Sequence, residues 1–209
     1  MPKKESPLHA LNAYLPEGSF EDVAAFILQY KVHLTITRER KSILGDYRNK
    51  IHDKNHRISV NGNLNKFSFL ITLLHELGHL VAYEKYGNRI QPHGKEWKKE
   101  FGEILARFIS NKIFPENIEK ELAKSLRNAA ASSCAEQGLL RVLKKYDVQT
   151  PGIYFVEELP AGSIFRVKGG KTYTIQNKVR KRFMCKENAT GKLFLFSPVA
   201  EVELVSTPL

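Results

Sequence analysis

Cysteine is nearly missing from this chain. Cys134 and Cys185 are its only two, fifty-one positions apart and in no C-x-x-C pair, which excludes a disulfide framework and a four-cysteine zinc ribbon. A reducing cytoplasm is the expected compartment. Long apolar runs are missing as well. The N-terminus has no stretch of signal-peptide type, and the most apolar segment is interrupted by His75, Glu76 and His79, so neither export nor a membrane span is expected. Acidic residues are scarce, 22 against 33 Lys and Arg. The net charge of +11 and pI near 9.6 favour DNA or another polyanion as a partner. The 209 residues, 42% of them hydrophobic, suffice for one sizeable domain and a smaller second one.

The stretch 67–101 organises the rest. Its centre is His75-Glu76-Leu77-Gly78-His79, with His93 fourteen residues further on. On a helix, residues four apart lie one above the other, so His75 and His79 aim two imidazoles at one point. Glu76 projects about 100° round the helix from His75, where its carboxylate reaches a water on a metal without becoming a ligand. That is the layout of a metalloprotease base. Phe69, Leu70, Leu73, Leu74, Leu77 and Leu80 make the same helix apolar on nearly all sides, as in a core helix. Two histidines and a glutamate there need a reason, because burying unpaired ionisable groups costs several kcal/mol and a metal removes most of that cost.

The helix is expected to start near Asn65 or Ser68 and to end at Tyr86-Gly87, and a second helix is expected over 94–110. His93, at the mouth of that second helix, can return to the first two histidines as a third ligand. Glu96, Glu100 and Glu103 are alternative third ligands. The spacing HExxHxxGxxH is excluded, since Ala82 and Lys85 stand where Gly and His would be needed.

Upstream, Leu8, Leu11 and Leu15 keep helical spacing, and 20–30 reads as a helix with Val23, Phe26, Ile27 and Tyr30 on one face. From Lys31 the period becomes two. Strands are expected over 32–37, 43–51 and 57–61, all antiparallel, with His33 turned away from the core. The last of these, 57–61, is expected to be an edge strand to which an extended peptide adds by backbone hydrogen bonds.

The blocks His-Glu-Leu-Gly-His-Leu-Val-Ala-Tyr at 75–83, Tyr86-Gly87, and Pro-His-Gly-Lys-Glu-Trp at 92–97 resemble the SprT-like metalloproteases, the family that includes the DNA-protein crosslink protease Spartan. The likeness covers roughly residues 20–110. It implies a zincin-like fold, Zn2+ held by His75, His79 and His93, Glu76 as catalytic base, and endopeptidase action on proteins bound to DNA. Many members continue into a cysteine zinc ribbon, and here this chain departs from the family.

Beyond the motif region, 115–127 reads as an amphipathic helix, 128–133 as a linker or a helix continuation, and 139–143 as a short helix. From Ile153 the pattern is β, with strands expected over 163–168, 171–176, 178–186, 192–196 and 199–205 and a hairpin at Gly169-Gly170. Five short strands suggest a small SH3-like or OB-like barrel. Between Gly162 and Lys192 there are nine Lys or Arg against the single acid Glu187, a net +8. Lys178, Arg180, Lys181 and Arg182 lie near Tyr173 and Phe183, the mixture of cations and aromatics that holds single-stranded nucleic acid. The expected class is therefore α+β: a zincin-like domain over 1–128, a helical linker over 129–150, and a small basic all-β barrel-like domain over 151–209. The competing reading is a non-enzymatic nucleic-acid-binding module with a structural metal.

Overall fold

The computed structural model describes residues 7–40, 42–50, 55–126, 134 and 136–208. The expected linker at 128–133, the end of the expected 43–51 strand and most of the turn before 57 lie outside the described residues. The chain is α+β and divides into two compact units between Asp147 and Val148.

In the first unit a 3-10 turn, Leu8–Ala13, leads to helix α1, Phe20–Gln29. Three strands follow: β1 His33–Thr37, β2 Gly45–Arg48 and β3 Arg57–Asn61. Their order is β1-β3-β2, with β1 parallel to β3 and β2 antiparallel to it. This corrects two expectations: the sheet is mixed, and 57–61 is its central strand. The cause lies in the described part of the connection between β1 and β2, which meets the end of β3 where the Asn61 N–H donates to the Leu44 carbonyl at 2.9 Å. Arg40 fastens it there, donating from Nε to Asn61 Oδ1 at 2.8 Å and from Nη1 to Ser59 Oγ at 2.9 Å, while Asn61 Nδ2 donates back to the carbonyls of Arg40 and Ile43. Asn61 thereby uses both donors and its acceptor, which lets it be buried at no hydrogen-bond deficit. Burial agrees with the central position: Ile58 and Val60 of β3 are buried, whereas β1 and β2 are half-buried or exposed. His33 is exposed, as its alternation implied.

Helix α2, Lys66–Tyr86, is the axis of the unit. Asn65 caps it by accepting from the Ser68 N–H at 2.9 Å, and Gly87, at φ 76°, ends it. Phe69, Leu70, Leu73, Leu74, Leu77 and Leu80 are fully buried along it. Each such side chain contributes roughly 1.5–3 kcal/mol relative to exposure. Helix α3, Lys95–Ser110, turns Trp97, Phe101, Leu105 and Phe108 onto α2. The two helices approach closely at Gly78, where a Cβ would stand 2.9 Å from Phe101 Cβ and 3.2 Å from Trp97 Nε1. Helices α4, Glu116–Ser125, and α5, Gln137–Leu143, complete the unit. Leu139 and Leu143 of α5 are part of its core, and Asn65 Nδ2 donates to Asp147 Oδ1 at 2.6 Å, so the described residues of the expected linker up to Asp147 pack within the first unit.

The second unit is a six-stranded antiparallel sheet: β4 Ile153–Phe155, β5 Ile164–Arg166, β6 Thr172–Val179, β7 Arg182–Glu187, β8 Leu193–Phe196 and β9 Glu201–Ser206, in the order β4-β9-β5-β6-β7-β8. Its core is Val156, Leu159, Phe165, Tyr173, Ile175, Cys185 and Val202. One expectation is corrected. The expected single strand over 178–186 folds back on itself at Arg180-Lys181, with Val179 facing Arg182. Arg180 takes φ 54° there, a conformation that glycine or asparagine ordinarily supplies, so no turn residue advertised the hairpin. β4 and β8 stand at the two ends of the strand order. The glycine hairpin is present as expected: Gly169 and Gly170 both have positive φ between β5 and β6.

Candidate metal centre

Helix geometry places His75 and His79 one turn apart on α2, and the 87–94 turn returns His93 to them. His93 itself sits at φ 58°, a left-handed backbone rarely adopted outside glycine, immediately before Gly94 caps α3. Its Nε2 lies 3.1 Å from His75 Nε2 and 3.0 Å from His79 Nε2. All three ligand atoms fall within 4.8 Å of one another. Two imidazole nitrogens each ~2.0–2.1 Å from one tetrahedral ion stand about 3.3 Å apart, so the spacing fits a shared metal. The chemistry of the donors agrees. One Nε2 facing two others can satisfy at most one of them by a hydrogen bond, whereas a cation satisfies all three lone pairs.

The pocket keeps these imidazoles neutral. Burial lowers His75 to about 3, helped by the charges of His79 and His93, and lowers His79 to about 4, helped by His93. His93 is lowered too, by burial first and Lys98 second. Neutral imidazole is the form a metal takes. Trp97 is the floor of the site. Fully buried, it lies 4.7 Å from the His75 ring, 5.2 Å from His79 and 4.7 Å from His93, centroid to centroid, and stacks on Phe101 at 5.0 Å. Its indole N–H donates to the His75 carbonyl at 3.4 Å. The histidines are thus held by packing against a rigid aromatic pair.

Glu76 is buried beside them, and its carboxyl is pushed up to about 8, by burial first and by Asp46 second, against an opposing pull from Arg40. Strand β2 passes directly over it. A Cβ on Gly45 would stand 2.6 Å from Glu76 Oε1, so only glycine leaves room for this carboxylate. Tyr47, on the same strand, lies parallel to the His79 ring at 6.4 Å and bonds through its hydroxyl to His56 Nδ1 at 3.0 Å. His56 Nε2 is 3.2 Å from Glu84 Oε1, which Lys50 also meets at 2.9 Å. This chain of contacts ties β2 and the start of β3 to α2. The sequence held no signal for Gly45, Arg40, Tyr47 or His56, because each depends on which strand lies over α2.

The alternative third ligands are placed elsewhere. Glu100 is buried but engaged by Lys85 and by the Tyr86 hydroxyl at 3.0 Å. Among the described residues the one group able to hold a metal is His75, His79 and His93, without Glu96, Glu100 or Glu103.

In the second unit, Lys178, Arg180, Lys181 and Arg182 are all exposed around the β6–β7 turn. The expected aromatic companions are not free. Tyr173 is buried in the core, and Phe183 is half-buried with Lys178 Nζ 5.7 Å from its ring. The cations are brought together, but base stacking on Tyr173 is closed off.

Comparison with known proteins matches the region of the chain that carries these residues. The SprT-like family model matches residues 15–120. The chain is 56% identical over 27 residues to Protein SprT of Pseudomonas fluorescens strain Pf0-1, covering 13% of this chain and 16% of that protein. It is 55% identical over 31 residues to Protein SprT of Glaesserella parasuis serovar 5, covering 15% and 19%. The stretch shared with each of these relatives spans less than a fifth of the relative's length. No solved structure matches the chain.

Proposed function

Because the chain belongs to the SprT-like family, we propose that its first unit is a zinc-dependent endopeptidase with a zincin-like site, in which His75, His79 and His93 hold the ion and Glu76 is the catalytic base. The observation that carries this reading is the convergence of three neutral imidazole nitrogens beside one buried carboxyl group. A zinc ion held there would supply Lewis acidity and bring the pKa of bound water towards about 7. Glu76 takes a proton from the attacking water as the water oxygen bonds to the peptide carbonyl carbon. It then delivers that proton to the amide nitrogen as the C–N bond breaks, leaving a carboxylate and an amine. Trp97 fixes the ligand rings, and the close approach of Gly45 fixes the carboxylate.

Substrate is proposed to lie along β2 rather than β3. β2 pairs with β3 on one side only and passes over Glu76, so an extended peptide added to its outer edge would bring a carbonyl to the site by main-chain hydrogen bonds. Proteins associated with DNA are the proposed substrates, in a reducing cytoplasmic compartment. This rests on the family, on the near-absence of cysteine and on the net charge of +11, together with the exposed cluster Lys178, Arg180, Lys181 and Arg182. Among the described residues no helix is long and apolar enough to cross a membrane. The test is cleavage of a DNA-bound protein by wild type and by Glu76→Gln, with and without single-stranded DNA. Cleavage by wild type alone, enhanced by DNA, supports the proposal. Equal DNA binding with no cleavage by either protein would favour a non-enzymatic module with a structural metal.

A further inference from the structure

The sheet of the second unit ends at β8, which pairs with β7 on one side and, among the described residues, has no strand on its other backbone edge. Edge strands are ordinarily blunted by charge, proline or a bulge, because a bare edge templates pairing with another chain. β8 has none of these. Its four residues are Leu-Phe-Leu-Phe, and its register with β7 is regular. Leu193, Phe194 and Leu195 are 60%, 39% and 53% exposed, an unusual concentration of apolar surface on so short a strand. Pairing sets Leu193 and Leu195 beside Lys186 and Met184 on one face of the sheet. Phe194 lies on the other face beside buried Cys185, edge-on to Tyr173 at 5.5 Å.

Charge around this edge has one sign. Lys178, Arg180, Lys181, Arg182, Lys186 and Lys192 are exposed on and between the neighbouring strands. The acid among them, Glu187, is buried and held by Lys171 at 2.8 Å and by the Thr190 hydroxyl.

We propose that β8 is a docking edge for an extended acidic segment of another protein, which joins the sheet as an additional strand. Its apolar side chains cover Leu193, Phe194 and Leu195, and its carboxylates meet Lys186 and Lys192. Main-chain pairing supplies affinity that tolerates sequence variation, while the apolar contacts and charges select the partner. Nucleic acid fits the edge less well, since a sugar-phosphate chain lacks the alternating amide donors and carbonyls that an open strand pairs with. A second copy of this chain would bring two such cationic clusters together. The proposal concerns the second unit and stands apart from the peptidase reading.

The experiment uses full-length Glu76→Gln chain, so that no peptide is consumed, and a short fluorescent peptide alternating valine and glutamate. Saturable binding is expected, weakening as salt rises. It should fall about tenfold or more when Leu193→Glu and Leu195→Glu are combined, as is ordinary when apolar anchors of a contact are lost. The near-UV circular dichroism of that variant should be unchanged because both positions are exposed. The same loss is expected when alternate valines of the peptide are N-methylated. The proposal is overturned if the N-methylated peptide, or a valine–lysine counterpart, binds as well as the probe. It is equally overturned if an oligodeoxynucleotide displaces the probe and loses its own binding in the double variant, or if wild type sediments as a dimer that the double variant splits.

Discussion

Replacing Gly45 by alanine isolates the role of Glu76 more cleanly than altering Glu76 itself. The added Cβ would stand 2.6 Å from Glu76 Oε1, 2.8 Å from Thr72 Cγ2 and 2.9 Å from Glu76 Cγ. Carbon contacts are ordinarily ~3.5–4.0 Å, so the overlaps amount to roughly 0.6–0.9 Å and something must move. β2 is hydrogen-bonded along its length to β3, whereas the carboxylate sits at the end of a flexible side chain. The side chain therefore yields, which keeps the stability cost towards the lower end of the ~1–3 kcal/mol typical of overpacking. Catalysis has no such tolerance. A base displaced by about 1 Å costs on the order of a hundredfold in rate, equivalent to about 2.7 kcal/mol of barrier. Hydrolysis of an unfolded protein substrate would be followed alongside zinc content and thermal melting. The expected outcome is kcat/KM reduced about a hundredfold at unchanged metal content and a melting point within a few degrees of wild type. Wild-type turnover in the metal-loaded variant would refute the placement of Glu76 as the base beneath β2.

Three further outcomes follow from the same geometry. Gly78→Ala should behave differently from Gly45→Ala, because its Cβ meets Phe101 Cβ at 2.9 Å and the Phe101 backbone at 3.3 Å. Helix α3 must then shift, so stability, by about 1–3 kcal/mol, and metal content should fall together in melting and elemental analysis. His93→Ala should lose metal on dialysis while Glu100→Gln keeps it, and unchanged zinc in His93→Ala would return the third ligand to a carboxylate. Without metal, stability should peak at about pH 6.5, where proton uptake by the two unfolded histidines balances proton release by the unfolded glutamate. Below 6.5 the unfolded chain takes up protons that His75 and His79, lowered to about 3 and about 4, refuse in the fold, so stability falls with acid. Above 4.5 the unfolded chain releases a proton that Glu76, raised to about 8, retains in the fold, so beyond the peak stability falls with alkali. Each limb amounts to on the order of a few kcal/mol. Melting in chelator on either side of the peak should show both limbs, and Glu76→Gln should flatten the alkaline one.

Helix α2, its caps and the reach of His93 were readable because their signals are local: four-residue spacing, an asparagine before the helix and a glycine after it. The order of the strands was not. Alternation identifies a strand but carries no information about its neighbours, and the order here is fastened by Arg40 and Asn61, twenty-one positions apart. The proposed substrate edge moved from β3 to β2 for that reason, and the importance of Gly45 came with it. Within the second unit, local chemistry was ambiguous rather than silent. Gly169-Gly170 announced one hairpin, while Arg180-Lys181 concealed another by adopting a glycine-like backbone in a run of cations. Tyr173 likewise looked available for stacking until its pairing with buried strands placed it in the core.

In the proposed reaction Glu76 moves the proton in peptide hydrolysis at a site whose metal is held by the three histidines alone. The direct measurement is turnover of an unfolded protein substrate by wild type and Glu76→Gln, with zinc per chain determined on the same samples. Equal zinc, with cleavage by wild type and none by the variant, is the predicted result. Equal cleavage by both proteins at equal zinc would contradict it.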